Sequence, residues 1–326
     1  MNEIRKIALF TSGGDAPGMN AAIRAIVRTA IYNKLDVSGI LRGYEGMING
    51  SFIRMDSRSV SNIIQHGGTI LKTARSKDFL TEIGMKKAAD HIAKNNIDAV
   101  VAIGGDGTFK GAEEFKNYSE IPFIGIPATI DNDLSGTDFT IGYDTAINTV
   151  VQAVDKIRDT ADSHDRLFFV EVMGRDAGQI AIYSGIASGA ESILIPETET
   201  LLEKLINTLE SGWNRKKSSC IIIVAEGDET GGAFEIARKV KERFTQYEAR
   251  VCILGHIQRG GSPTAMDRVR ATRLGIAAVE AVLSGQKHQM LGIVNDKIVF
   301  TPFKNAVKQH LPVDAALIRI PDIVSV

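Results

Sequence analysis

Short apolar runs recur along the chain, each followed by a glycine turn and then by an amphipathic stretch. The runs are Ile7 to Phe10, Asp98 to Ile103, Pro122 to Ile126, Leu167 to Val172, Cys220 to Ala225 and Val251 to Leu254. This is the sequence form of strands alternating with helices, and it predicts parallel sheets. The first helix is expected over Asn20 to Asn33, where Ala22, Ile23, Ile26, Val27, Ala30 and Ile31 form an apolar stripe. Pro17 suits its entry. A second helix is expected over Thr145 to Thr160, with Ile147, Val150, Val151, Val154 and Ile157 at helical spacing. In open parallel sheets, ligands gather beyond the carboxyl ends of the strands, so the residues after each run are the site candidates.

At 326 residues the chain exceeds the size at which one core usually keeps growing. The expected fold is α/β, with two Rossmann-like three-layer α/β/α sandwich domains, mostly parallel sheets and a cleft between them. The expected division is residues 1–142 plus 256–305 for one domain and 143–255 plus 306–326 for the other. Apolar residues make up 44% and charged residues 24%, a globular balance rather than a disordered one. A net charge of -1 gives no general affinity for nucleic acid or acidic membranes, so anions must be held by local arginines. Cys220 and Cys252 lie in strand-like runs and are expected buried and reduced. No metal-binding spacing, signal peptide or run of 18 apolar residues is present, and a cytoplasmic protein is expected.

The chemistry sits on the turns. Thr11-Ser-Gly-Gly-Asp-Ala-Pro-Gly18 joins the first strand to the first helix, where free N–H groups and the helix dipole favour an anion. It is not a Walker loop, since no GK[ST] follows. Gly104-Gly-Asp106-Gly-Thr108 adds a carboxylate that can reach a metal bound to a nucleotide, and Lys110 in place of a third glycine removes the dinucleotide fingerprint. Similar turns occur in lipid and NAD kinases. Asp131 and Asp133, in Pro127-Ala-Thr-Ile-Asp-Asn-Asp133, point the same way in extended backbone, and such a pair suits a general base with a neutralised partner. Arg75, Arg166, Arg175, Arg250 and Arg259 fall on expected strand ends or turns, and guanidinium forks match phosphate oxygens. His256-Ile-Gln-Arg259-Gly-Gly261 reads as an anion cradle. A second acidic glycine turn, Glu226-Gly-Asp228, follows the strand Ile221 to Ala225 and suggests a distant duplication.

With these motifs in order, together with Glu171-Val-Met-Gly-Arg175 and Gly255-His-Ile-Gln-Arg-Gly-Gly-Ser-Pro263, nearly the whole chain resembles the bacterial-type 6-phosphofructokinase family. The resemblance implies phosphoryl transfer from MgATP to the 1-hydroxyl of fructose 6-phosphate. It implies Asp131 as general base, Arg175 as the cation that neutralises developing charge, and Thr129 and Gly14 as partners of the transferring phosphoryl group and the nucleotide phosphates. Nucleotide contacts fall on Gly14, Arg75, Ser76, Gly105, Asp106, Gly107 and Thr108, with Asp106 binding magnesium. Acceptor contacts fall on Thr129, Asp131, Asp133, Met173, Gly174, Arg175, Glu226, His256 and Arg259, and on Arg166 and Arg250 from a neighbour in a homotetramer. An effector site for ADP or phosphoenolpyruvate is implied at Arg24, Arg28, Arg158, Glu191 and Lys217.

The chain departs from the family pattern at Ser57, beside Arg58, where an effector-site arginine is expected, and at Ser219, where a histidine is common. Pyrophosphate-using relatives carry Asp at position 107 and Lys at 128, whereas this chain has Gly107 and Ala128, which favours ATP. A pyrophosphate-dependent enzyme and a non-catalytic regulatory homologue are the alternatives.

Overall fold

The computed structural model describes residues 4–164, 166–308 and 313–324. The chain divides into two compact units, one of Met1–Ile130, Leu134–Thr145 and Arg259–Gln309, the other of Asp131–Asp133, Ala146–Gln258 and His310–Val326. In chain order the strands are β1 (Lys6–Thr11), β2 (Asp36–Ile40), β3 (Phe52–Met55), β4 (Ala99–Gly104), β5 (Phe123–Pro127), β6 (Arg166–Val172), β7 (Ser192–Leu194), β8 (Cys220–Ala225), β9 (Glu248–Ile253), β10 (Gln289–Val294) and β11 (Lys297–Pro302). The six apolar runs are β1, β4, β5, β6, β8 and β9, and the sequence reading passed over the other five strands.

The sheet of the first unit runs β11-β10-β5-β4-β1-β2-β3, parallel throughout except for the antiparallel pairs β10–β11 and β2–β3 at its ends. Thr11 pairs with Ile103 and Gly104 with Pro127, so the chain leaves β1, β4 and β5 side by side at one edge. Since β2 and β4 flank β1 on opposite sides, the direction of chain crossover reverses at β1, the position where α/β sheets open a crevice.

The helix Met19–Tyr32 is one residue ahead of its expected start, and Gly18 caps it in the left-handed region at φ 110°. Ala22, Ile23, Ile26, Val27 and Ala30 are buried, but Ile31 is 38% exposed at the last turn, a correction to the expected stripe. The helix packs closely on Ala265–Leu283, because a Cβ at Gly275 would fall 2.6 Å from that of Ala25. Asp267, fully buried, accepts from the Gly142 and Thr145 N–H groups and from the Thr145 hydroxyl. Burial pushes its carboxyl above the usual range, and these bonds oppose that rise.

Beneath the turn after β4 lies an aromatic chain. Tyr44 stacks on Phe79 at 3.9 Å and tilts against Phe10 at 4.8 Å, and Phe115 joins Phe79 to Phe123. The buried Tyr44 hydroxyl donates to the Thr108 carbonyl at 2.5 Å, fastening the first turn of the helix Asp106–Phe115 to this core. Tyr44→Phe keeps the stacking and removes that bond, while the carbonyl keeps its place in the hydrogen-bond ladder of its own helix, so a loss of about 0.5–1.5 kcal/mol is expected in urea unfolding. An unchanged midpoint would mean that the bond contributes nothing.

The sheet of the second unit, β7-β8-β6-β9, is wholly parallel. Val172 pairs with Ala225 and Glu171 with Ile253, which sets the exits of β6, β8 and β9 beside one another. The expected second helix is Tyr143–Asp162. The helix Ala315–Val324 packs against Gln179–Ala187 and β7, and Lys204 pairs with Asp322 at 2.8 Å. Cys220 is buried, and desolvation together with the nearby Glu191 charge pushes its thiol up to about 11. Cys252 is only part-buried, contrary to expectation, because β9 is an edge strand. No helix among the described residues is long and apolar enough to cross a membrane.

Candidate active site

In the first unit, the turns after β1 and β4 touch through their backbones. A Cβ at Gly104 would lie 2.2 Å from Thr108 Oγ1 and 2.6 Å from the Ser12 carbonyl oxygen, so only glycine lets the two turns close on each other. Gly13 takes φ 85°, and the position of a Cβ at Gly14 is 2.7 Å from Arg259 Nη1, which donates to the Asp15 carbonyl at 3.5 Å. Among the described residues, a Cβ at Gly107 would meet nothing within 4 Å beyond its own helix turn, and one at Gly105 would meet the Thr129 side chain at 3.6 Å. The Thr108 hydroxyl is buried and has no hydrogen-bond partner among the described residues. Two helix N-termini, an open glycine cradle and an orphaned hydroxyl suit a ligand rich in acceptor oxygens.

Asp106 opens its helix with Oδ1 accepting from the Lys308 N–H at 2.8 Å and Oδ2 paired with Lys110 at 2.7 Å. No group of three metal-ligating side chains occurs among the described residues, so a cation here would be held by one carboxylate and by oxygens of its ligand. Ser76 Oγ accepts from the Phe79 N–H at 3.2 Å, and Arg75 is exposed. Thr129 is anchored by its carbonyl, which accepts from the Thr140 hydroxyl at 2.5 Å.

In the second unit, Asp131, Asn132 and Asp133 are all buried. The expected extended backbone is not what forms: Asn132 takes φ 51°, so the two carboxylates flank a left-handed residue rather than alternate along a strand. Asparagine tolerates that region better than most residues. Asp131 Oδ2 lies 3.4 Å from Arg175 Nε, and while the carboxylate is 4% exposed the guanidinium is 51% exposed. One face of the arginine thus meets a desolvated charge and the other remains open. Arg175 is itself left-handed at φ 53°, after Gly174 at φ 143°. Glu226 Oε1 accepts from the Arg175 and Gly174 N–H groups at 2.8 and 3.3 Å. The Met173 N–H is taken by Gln258, a fully buried amide whose other end bonds the Gly255 carbonyl. Gln258 stands inside the motif His256-Ile-Gln-Arg259-Gly-Gly261, but only its burial between two glycine-rich turns shows that it ties them together. His256 is exposed on the short 3-10 turn that follows β9.

Arg166 and Arg250 do not reach this edge within the chain. Arg166 opens β6, Arg250 pairs in register with Phe168, and Met173 follows the far end of β6, so about 17–23 Å of strand lies between. One residue that sequence reasoning missed, Glu248, binds both: Arg166 Nε donates to it at 3.1 Å and Arg250 Nη2 contacts its other oxygen. The Arg166 hydrogen bond holds the Glu248 carboxyl below its usual range.

Of the expected effector residues, Arg24 and Arg28 lie one turn apart on Met19–Tyr32, where partial burial and then the Arg28 charge lower the Arg24 pKa. Arg158 donates to the Ser188 and Gly189 carbonyls at 2.7 and 3.0 Å. Glu191 accepts from the Ile221 N–H at 2.6 Å and from Lys217 at 3.3 Å, which gives it a structural task. The Ser219 hydroxyl bonds Asp162, and the N–H of Arg58, next to Ser57, donates to Asp56.

A family model described as phosphofructokinase matches residues 6–282. The chain is 55% identical over 320 residues to ATP-dependent 6-phosphofructokinase 2 of Bacteroides thetaiotaomicron, covering 98% of each. It is 52% identical over 322 residues to ATP-dependent 6-phosphofructokinase 1 of Thermus thermophilus, covering 99% of this chain and 100% of that one. Among solved structures, phosphofructokinase from Saccharomyces cerevisiae matches with a TM-score of 0.89 at 36% identity, over 98% of this chain and 48% of that one. The chain therefore spans about half the length of that protein. A pyrophosphate-dependent phosphofructokinase from Marinobacter aquaeolei matches with a TM-score of 0.85 at 22% identity, over 98% of this chain and 91% of that one, a likeness of fold alone.

Proposed function

The chain belongs to the phosphofructokinase family, and from that membership we propose that it transfers the terminal phosphoryl group of ATP to the 1-hydroxyl of fructose 6-phosphate. The products are fructose 1,6-bisphosphate and ADP. The observation that carries this reading is the buried Asp131 carboxylate 3.4 Å from the half-exposed Arg175 guanidinium. Such a pair combines a proton acceptor with a cation free on one side to meet phosphoryl oxygens.

Asp131 takes the proton of the attacking hydroxyl as its oxygen closes on phosphorus, and Arg175 neutralises charge that builds between donor and acceptor. Thr129, fixed by its backbone, hydrogen-bonds the transferring group. Gly14, Gly105, Gly107 and Thr108 receive the nucleotide phosphates on N–H groups and on the orphaned hydroxyl, with Arg75 and Ser76 beside them. Asp106 suits a magnesium ion, which when bound supplies charge neutralisation on the phosphate oxygens. Asp133 orders those surroundings. Met173, Gly174, Glu226, His256 and Arg259 serve the sugar phosphate. Arg166 and Arg250, already oriented by Glu248, serve it from a neighbouring subunit of a homotetramer. The effector reading of Arg24, Arg28, Arg158, Glu191 and Lys217, for ADP or phosphoenolpyruvate, rests on family resemblance, as does a cytoplasmic location.

ATP is the donor that Gly107 favours, because the space a side chain would fill there is left open. The test is the initial rate of fructose 1,6-bisphosphate formation with ATP and pyrophosphate in parallel. Turnover with ATP and background with pyrophosphate is the expected result. A pyrophosphate rate equal to or above the ATP rate would overturn the donor assignment and leave the fold untouched.

A further inference from the structure

The acidic glycine turn after β8 has a use that its sequence does not announce. Gly227 has no positive φ, so its backbone would accept any residue. Space forbids one: a Cβ there would fall 1.9 Å from the Arg175 carbonyl oxygen, 2.9 Å from its carbonyl carbon and 3.3 Å from the Asp176 Cα. All three are main-chain atoms, which cannot rotate aside as a side chain could. At the far end of the turn after β6 that carries Arg175, the Gly178 N–H donates to Glu197 Oε1 at 2.7 Å. A Cβ at Gly178 would lie 2.5 Å from Glu197 Oε2, a buried oxygen with no partner among the described residues. Gly178 caps the helix Gln179–Ala187, so the carboxylate sits at a helix N-terminus, where its charge is favoured.

Between these two fixed points the chain carries a non-glycine residue in the left-handed region. Nothing local requires an arginine to adopt that conformation, and a turn free at either end would relax out of it. We infer that Gly227 and Glu197 are positioning residues for phosphoryl transfer, holding the Gly174–Gly178 turn from its two ends so that the Arg175 guanidinium is aimed at Asp131. Gly227 acts by leaving a hollow for the Arg175 carbonyl, and Glu197 by tethering the Gly178 N–H. This rests on the role proposed for Arg175.

The experiment compares kcat and both KM values for Gly227→Ala, Glu197→Ala, Glu197→Gln, Arg175→Ala and the double variants of the first two with Arg175→Ala. Gly227→Ala should lower kcat by about 10- to 100-fold, as expected for a displacement near 1 Å, with KM for ATP unchanged. Glu197→Ala should lower kcat less, and Glu197→Gln should restore it, since the amide oxygen also accepts the Gly178 N–H. Neither change should lower kcat further in the Arg175→Ala background, because both act through that side chain. Parental kcat in Gly227→Ala and Glu197→Ala, or losses that multiply with Arg175→Ala, would overturn the inference. If Gly227→Ala does not fold, the Glu197 pair decides by the same criteria. Parental kcat in Arg175→Ala would instead overturn the reading of that arginine, and the inference with it.

Discussion

Asp131→Asn is expected to lower kcat by about 10³-fold, within the range that positioned general bases contribute. The amide has the shape of the carboxylate and can still accept a hydrogen bond from Arg175, so the site should keep its geometry. It cannot accept the hydroxyl proton. On the proposed reading, in which the turns of the first unit hold the nucleotide, KM for ATP should hardly change. Stability separates this from a structural explanation. The Asp131 carboxylate is 4% exposed, and a charge so buried carries a desolvation cost that its partners only partly offset. The neutral variant should therefore melt at the parental temperature or a little above it, while a residue kept for structure would melt lower. Steady-state kinetics and thermal unfolding on one preparation make the distinction, and turnover within about threefold of the parent would remove the mechanism.

What the sequence disclosed follows from burial. β4 and β8 are buried at every position and read as unbroken apolar runs, the pattern of interior parallel strands. The strands passed over lie towards the ends of the sheets. β3 has the four residues Phe-Ile-Arg-Met, two of them exposed, and β7 has three residues, too few to show a period. β10 and β11 could have been read. Asn295 and Asp296 between them are both left-handed, which is the two-residue hairpin signature.

The site divides the same way. Turns that follow β1, β4, β6 and β8 were legible by position, since the ends of parallel strands are where glycines and carboxylates collect. Conformation within the turns was not. The left-handed state of Asn132 and Arg175 is not announced by their residue types, and Glu226, which accepts from the Arg175 N–H, lies 51 residues away. A motif names the residues of such a turn without saying which backbone state another loop will impose on it. Likewise the placement of Arg166 and Arg250 on the amino-terminal part of their strands follows from the parallel register of β6 and β9, which no single run reveals.

Replacing Arg175 should separate stability from activity. On the role proposed for Arg175, losing its cation in Arg175→Ala is expected to cost about 10²- to 10³-fold in kcat. Arg175→Lys should recover only part of this, since an ammonium cannot present the planar fork that spans two oxygens. Arg175→Gly should be as inactive as Arg175→Ala, yet more stable than it. A non-glycine residue at φ 53° costs roughly 1–2 kcal/mol that glycine avoids. Both variants leave the 4% exposed Asp131 carboxylate without that cation, so this loss cancels between them, and the N–H bond to Glu226 survives in any residue. The checks are the urea midpoint and kcat of the three variants beside the parent. A glycine variant no more stable than Arg175→Ala would show that the left-handed backbone carries no strain. A stable, inactive one would mean that the chain tolerates a strained backbone at this position for the sake of where the guanidinium points.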